Sequence, residues 1–112
     1  MNDVGANQAG IDKLVSDLNS QHGDNTAIGV VADVTSSSEV KKMVEQTVEK
    51  LGPLTVMVAN AGIAQVTPVL EISDEDVQKM FNVNFMGVWN WCVQLLMLYP
   101  PNTPRLHAEQ PH

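Results

Sequence analysis

One stretch constrains the fold of this chain more than any other, an apolar run over residues 54–59 that ends in Asn60-Ala61-Gly62. The run is rich in β-branched residues and follows a glycine–proline pair, which is typical of a strand buried on both faces. In an open α/β sheet, ligands bind outside the carboxyl ends of the strands. The tripeptide is therefore a candidate ligand-binding turn, in which Gly62 supplies backbone torsions that other residues resist. The alternative is an ordinary strand-to-loop turn, because Asn and Gly are common turn residues.

The sequence before this run predicts a helix and another strand. Apolar residues recur at helical spacing over residues 7–20, and Gly23 is the expected stop of that helix. Residues 27–32 form a short apolar run of strand type that ends at Asp33. Because helices and strands alternate with short connections, the pattern predicts an α/β fold with a parallel sheet.

Two capping signals mark the starts of two further helices. Ser36 and Glu39 form a Ser-x-x-Glu capping box before a helical pattern that Gly52 ends. Ser73 and Asp76 repeat the signal before a longer helix. Helical spacing predicts that this last helix buries one stripe of side chains, formed by Val77, Met80, Phe81, Asn84, Val88, Cys92 and Leu95.

Two polar residues stand out against these patterns. Asp33 follows a strand and could accept a hydrogen bond from an adenine amino group, or it could form an Asx turn before the next helix. Asn84 lies on the predicted apolar stripe, where burial without a partner would cost about 1–3 kcal/mol. It either faces a cleft or disturbs the helix there, or it is a core residue satisfied by nearby backbone.

Composition narrows the classes of function. The 112 residues suit one domain, and 44% apolar with 17% charged residues is typical of a globular protein. A net charge of −7 argues against nucleic-acid partners and anionic membrane surfaces. A membrane-spanning helix needs about 20 mostly apolar residues. The sequence contains no such stretch, so no membrane span is predicted. The single cysteine, Cys92, favours a reducing, cytoplasmic location, and the three histidines lack the spacing of metal ligands, so no metal site is expected.

Motifs in this order resemble those of the short-chain dehydrogenase/reductase family. Asp33-Val34 is similar to the family's Asp-Val pair after the third strand, which contacts the adenine ring of the cofactor. Asn60-Ala61-Gly62 is similar to the motif that ends the family's fourth strand. The resemblance implies a Rossmann-like doubly wound parallel sheet in three layers, with strand order 3-2-1-4-5-6-7. It also implies NAD or NADP as cofactor, with these five residues among those that bind it.

Two further positions carry the resemblance. Asn84 lies in a segment similar to the family's Val-Asn-x-x-Gly-Val, which implies that it is the Asn of the Asn-Ser-Tyr-Lys catalytic tetrad. Asp3 matches the end of the second strand, where an acidic residue binds the adenosine ribose hydroxyls and favours NAD. Within the family, the residues of these motifs are most similar to those of the acetoin/diacetyl and sugar or polyol reductases.

The sequence also departs from the family. It contains no Gly-x-x-x-Gly-x-Gly turn, where a helix N-terminus would receive the cofactor pyrophosphate. Its one tyrosine, Tyr99, is followed four residues later by Thr103 instead of lysine, and no serine follows Ser73. We therefore expect a partial sheet that lacks the first strand and the C-terminal half. Residues 1–99 would form a partial NAD(P)-binding domain and residues 100–112 an irregular tail, in a truncated chain.

Two functions follow as hypotheses. The first is a fragment of an NAD(P)-dependent oxidoreductase acting on a small-molecule carbonyl/alcohol pair, with cofactor binding weak or lost and no turnover from this chain alone. The second is a non-catalytic interaction module. The family's matching helix commonly packs against a second subunit, so the helix from Ser73 would pair with a copy or a full-length relative through Phe85, Trp89 and Trp91.

Overall fold

The structure, a computed structural model, describes residues 7–99 of the chain. These residues form four α-helices and one π-helical segment. The bounds are α1 (Gln8–His22), α2 (Ser37–Leu51), α3 (Asp74–Phe81) and α4 (Gly87–Leu98), and the π-helical segment Asn82–Met86 joins α3 to α4. No helix within residues 7–99 is long and apolar enough to cross a membrane.

The helix ends follow the capping residues of the sequence. The hydroxyl oxygens of Ser36 and Ser73 accept the backbone N–H three residues on, at 3.4 and 3.1 Å, which confirms both predicted N-caps. Gly23 and Gly52 follow α1 and α2 with φ of 103° and 90°, a region that favours glycine. The predicted stops of both helices are therefore confirmed, although α1 runs to His22, two residues beyond its predicted end.

The two predicted strands do not form a ladder among the described residues. Residues 27–32 and 54–60 have no regular secondary structure, and no backbone hydrogen bond joins the two runs. A strand is defined by pairing with a neighbour, and in the strand order that the family resemblance implies, the third and fourth strands are not neighbours. The runs therefore have strand-like sequences without strand pairing in residues 7–99.

Side chains from the helices hold the two runs instead. Asn19 of α1 accepts the N–H of Ala27 at 2.8 Å and donates to its carbonyl at 3.1 Å. On the same helix Ile11 lies so close to Gly29 that a Cβ at Gly29 would stand 2.2 Å from its Cγ2. At the other run, the Tyr99 hydroxyl donates to the carbonyl of Leu54.

The buried apolar core is small and lies where α2 meets the π-helical segment and α4. It consists of four valines, each at most 7% exposed: Val34, Val40, Val44 and Val83. Gln94 of α4 is also buried. Because Val34 is the residue after Asp33, this core fixes the end of the first run directly against α2 and α4.

The predicted buried stripe of the last helix is wrong. Val77, Phe81 and Val88 are 48%, 49% and 38% exposed, and Cys92 is exposed. The inward positions are Val83 and, in α4, Gly87 and Gln94. A single 3.6-residue period cannot describe this helix, because its central segment is π-helical: the N–H of Gly87 donates to the carbonyl five residues earlier.

Candidate functional site

The turn after the first run is built around the Asp33 side chain. Its Oδ1 accepts from both the backbone N–H and the hydroxyl of Thr35, each at 2.8 Å, and its carbonyl accepts the N–H of Ser36 at 3.0 Å. This is the Asx turn that the sequence allowed. No described residue hydrogen-bonds Oδ2, so one carboxylate oxygen shapes the turn while the other can accept a donor from outside.

Glu39 completes this turn in a way that differs from the predicted capping box. In that box the glutamate side chain returns to the N–H of the capping serine. Here Glu39 Oε2 instead accepts the N–H of Asp33 at 2.8 Å, while the Ser36 N–H is satisfied by the Asp33 carbonyl. The helix cap and the Asp33 turn are therefore one hydrogen-bonded unit.

The turn after the second run is held by Asn84. The side-chain Oδ1 accepts the N–H of Ile63 at 2.8 Å, and Nδ2 donates to the Ile63 carbonyl at 2.9 Å. Asn84 is exposed, so the expectation that it is buried is wrong, but its amide is satisfied by backbone and it lies in the π-helical segment. Gly62 does not have positive φ. It is small because Asn84 approaches it closely: a Cβ at Gly62 would stand 3.3 Å from Oδ1.

A second asparagine on the same helix holds the first turn. Asn90 Nδ2 donates to the carbonyl of Val34 at 2.9 Å in a partly buried position. One turn earlier, Gly87 packs against the same residue, so that a Cβ at Gly87 would stand 3.0 Å from Val34 Cγ2. The helix that carries Asn84 therefore contacts both turns, through two asparagines six residues apart.

The structure brings several of the predicted site residues together. Val34 and Ala61 line one small cavity with Val83 and Gly87, which is too narrow to admit a water molecule. The side chain of Asn60 makes no hydrogen bond within residues 7–99, and Asn60, Ala61 and Gly62 are all exposed. Predicted site residue Asp3 lies outside the described residues.

An open cleft of about 650 Å³ adjoins the Asp33 turn. Asp33 and Thr35 form one wall, and α3 with the start of the π-helical segment forms the other, through Asp74, Glu75, Gln78, Lys79, Asn82 and Val83. Three carboxylates face one ammonium group across this cleft. The cleft therefore favours ligands that present hydrogen-bond donors and disfavours added negative charge.

Asn19 and Asn90 were not among the residues predicted from the sequence. The signal that could have found Asn90 is the one that singled out Asn84, a polar side chain among large apolar neighbours on a helix. Asn19 gives the same kind of signal, because it follows Ile11 and Val15 at helical spacing on the partly buried side of α1. Within residues 7–99, no group of three His, Cys, Asp or Glu side chains could hold a metal ion.

Comparison with solved structures identifies the fold class. The chain is similar to a short-chain dehydrogenase/reductase, a glucose/ribitol dehydrogenase from Brucella melitensis, with a TM-score of 0.73 and 28% identity over 81% of this chain and 37% of that one. It is also similar to an alcohol dehydrogenase from Thermococcus sibiricus, solved in complex with 5-hydroxy-NADP. That match has a TM-score of 0.64 and 28% identity over 77% of this chain and 36% of the other. These structures define an α/β, Rossmann-like class of protein.

Sequence comparison identifies the family. The family model for short chain dehydrogenases matches residues 3–100. A diacetyl reductase from Staphylococcus epidermidis, described as (S)-acetoin forming, is 43% identical over 61 residues, which are 54% of this chain. The chain belongs to the short-chain dehydrogenase family, and the resemblance seen in its motifs is confirmed. It spans about a quarter of that relative's length.

Proposed function

We propose that this chain carries the adenosine-side part of an NAD(P)-binding site from a short-chain oxidoreductase that acts on a carbonyl/alcohol pair. The single observation that carries the proposal is the Asp33 carboxylate beside the cleft, whose Oδ1 is used within the turn while Oδ2 has no hydrogen-bond partner within residues 7–99. An adenine amino group is a donor of the kind that this oxygen accepts. The residues therefore fit the adenosine half of the cofactor.

The other cofactor-binding positions follow from the same arrangement. Val34 and Ala61 share a cavity, and the exposed Asn60-Ala61-Gly62 turn leaves backbone open to a ligand. We assign these residues, with Asp3 for the ribose hydroxyls, to cofactor binding. The three carboxylates of the cleft support NAD over NADP, whose extra phosphate adds negative charge.

We assign Asn84 to the position of the family's tetrad asparagine. Its side chain already makes two hydrogen bonds with Ile63, which leaves one Nδ2 hydrogen and one Oδ1 lone pair for a water or lysine. When bound, the nicotinamide would supply the hydride. This chain has no Tyr-x-x-x-Lys and no glycine-rich turn for the pyrophosphate, so we propose weak cofactor binding and no turnover of its own. Oxidation of NADH with diacetyl above blank would overturn that part.

The binding proposal is tested with adenosine probes and one isosteric substitution. Asp33→Asn keeps an oxygen for the Asx turn but can turn the free acceptor into an NH₂ donor. We expect AMP to shift the amide resonances of residues 33–35 and 60–62, and Asp33→Asn to weaken that binding about 10- to 100-fold. Adenosine 2′,5′-bisphosphate, the NADP-like probe, should bind more weakly than AMP.

Asp24→Asn is the matched control, because it changes the net charge equally at an exposed aspartate whose side chain has no hydrogen bond within residues 7–99. It should leave the affinity for AMP unchanged. Equal affinities of the Asp33→Asn variant and the unchanged chain for AMP would contradict the proposal.

A reducing, cytoplasmic location and a division into residues 1–99 and 100–112 remain predictions from the sequence.

A second candidate function is a non-catalytic module that pairs with a full-length relative through the helix from Ser73. The observation that favours it is an exposed aromatic row, in which the rings of Phe81 and Phe85 stack with centroids 4.9 Å apart. Phe81, Phe85 and Trp89 are 49%, 56% and 56% exposed at four-residue spacing. Trp91, by contrast, packs against the small cavity beside Val34.

Mixing the chain with the diacetyl reductase from Staphylococcus epidermidis tests this module directly. Size-exclusion chromatography should show a mixed complex, and the double substitution Phe85→Ser with Trp89→Ser should abolish it. Leu96→Ser is the control, because Leu96 is 65% exposed but lies outside the aromatic row. Separate elution of the two unchanged proteins would exclude pairing with this relative.

A further inference from the structure

The Asp33 turn makes hydrogen bonds among its own residues, and within the described part of the chain one hydrogen bond joins it to the last helix. That contact is the bond from Asn90 Nδ2 to the carbonyl of Val34. Val34 follows Asp33 directly, and its side chain is only 7% exposed. The turn is therefore held against α4 directly by one buried valine and one asparagine, and is joined to α2 through Glu39.

The same helix also fixes the second turn. Asn84 bonds to Ile63 through both the oxygen and the nitrogen of its side-chain amide. Asn90, six residues after Asn84, bonds to Val34. Both turns are therefore hydrogen-bonded to the same helix. The distance between the Asn84 and Asn90 side chains on this helix sets the spacing of the two turns. A ligand that contacts both turns would require that spacing to be fixed before it binds.

We propose that Asn90 is a positioning residue for adenosine recognition, which holds the Asp33 turn at the correct distance from the Asn60-Ala61-Gly62 turn. This inference rests on the proposed cofactor site and adds a residue to it. Asn90 does not touch the ligand. It acts through the Val34 carbonyl, and its loss lets the Asp33 turn open more often and its carboxylate move away from the second turn.

The substitution Asn90→Leu tests the proposal, because leucine has a similar size and no donor. We expect the dissociation constant for AMP to rise about five- to tenfold, which corresponds to the loss of one hydrogen bond. We also expect faster amide hydrogen exchange at Thr35 and Ser36, whose N–H groups donate to Asp33. Asn90→Asp is the second variant, for use if the leucine variant does not fold. It replaces only the donor with an acceptor, so it should also weaken AMP binding and speed up exchange at Thr35 and Ser36.

Asn19→Leu is the matched control. It also removes an asparagine that holds an apolar run, at Ala27, but it lies on α1 and does not contact the Asp33 turn. A general structural role predicts that both variants weaken AMP binding equally, and that result would overturn the proposal. The positioning role predicts that only the changes at Asn90 do so, by at least threefold more than the control.

The exchange measurement separates this inference from the proposed function. If the unchanged chain binds no AMP, the adenosine site fails together with the positioning role toward it. Faster exchange at Thr35 and Ser36 in Asn90→Leu would still support the physical link from Asn90 to the turn. Unchanged exchange at both amides would overturn that link, whether or not AMP binds.

Discussion

The turns after the two apolar runs are held in different ways. The turn at residues 33–36 makes hydrogen bonds among its own residues and with Glu39, and its Val34 side chain lies in the core. The turn at residues 60–63 is exposed, and its hydrogen bonds within the described residues come from Asn84, 21 positions away. The first turn is therefore formed largely by neighbouring residues, with one added long-range bond from Asn90. The second depends on a distant side chain, so one substitution should free it.

The largest effect is expected from Asn84→Ala. It removes both hydrogen bonds at Ile63, the ones that hold the second turn within residues 7–99, which should lower its local opening free energy by about 1–3 kcal/mol. Amide exchange at Ile63 should become about 5- to 150-fold faster, while exchange at Thr35 stays the same. Asn82→Ala is the control within the same π-helical segment. An Ile63 amide that remains protected in Asn84→Ala would show that the second turn has other support.

A smaller effect on global stability is expected from Val34→Ala. The substitution removes two carbon atoms from a side chain that is 7% exposed in the core, so the free energy of unfolding should fall by about 2 kcal/mol. Urea unfolding followed by circular dichroism measures the change. Val66→Ala should alter stability by less than about 0.5 kcal/mol, because Val66 is fully exposed beyond the second turn. Equal effects would mean that the first turn is not anchored in the core.

The smallest effect is expected from Thr35→Val. Only the bond from the hydroxyl to Asp33 Oδ1 is lost, while the backbone N–H of residue 35 still donates to the same oxygen. In this exposed turn the stability should fall by no more than about 1 kcal/mol. Thr67→Val is a suitable control, because the Thr67 hydroxyl has no partner within residues 7–99. A loss above about 2 kcal/mol would show that the remaining N–H bond to Asp33 Oδ1 does not keep the turn formed, and would contradict this prediction.

The sequence predicts the parts of this fold that depend on near neighbours. Ser36, Ser73, Gly23 and Gly52 mark helix ends correctly, because capping involves residues within one turn of each other. The Asx turn at Asp33 is local in the same sense. These features require only the order of residues within a few positions.

Features that depend on distant partners were not predicted, for identifiable physical reasons. Strand pairing requires a neighbour that residue patterns do not identify, so the runs at 27–32 and 54–60 have strand sequences without a ladder. The bond from Asn90 to Val34 spans 56 positions, and although the apolar neighbours of Asn90 mark it as unusual, they do not identify its partner. The buried stripe was predicted wrongly because a regular period was applied across a π-helical segment.

That segment has a consequence for which kinds of mutation the helix can accept. The i→i−5 bond of Gly87 already accommodates an extra residue in this segment, and residues in an α-helix advance by about 100° each, so inserting another residue within Asn82–Met86 would rotate all of α4 relative to α3. Asn90 would turn away from Val34, and Gly87 would no longer pack against the Val34 side chain. Substitutions do not change the rotation of α4 relative to α3, whereas a change in the number of residues does. Among variants of this chain, we therefore expect the helix from Asp74 to Leu98 to vary in residue type but not in residue number.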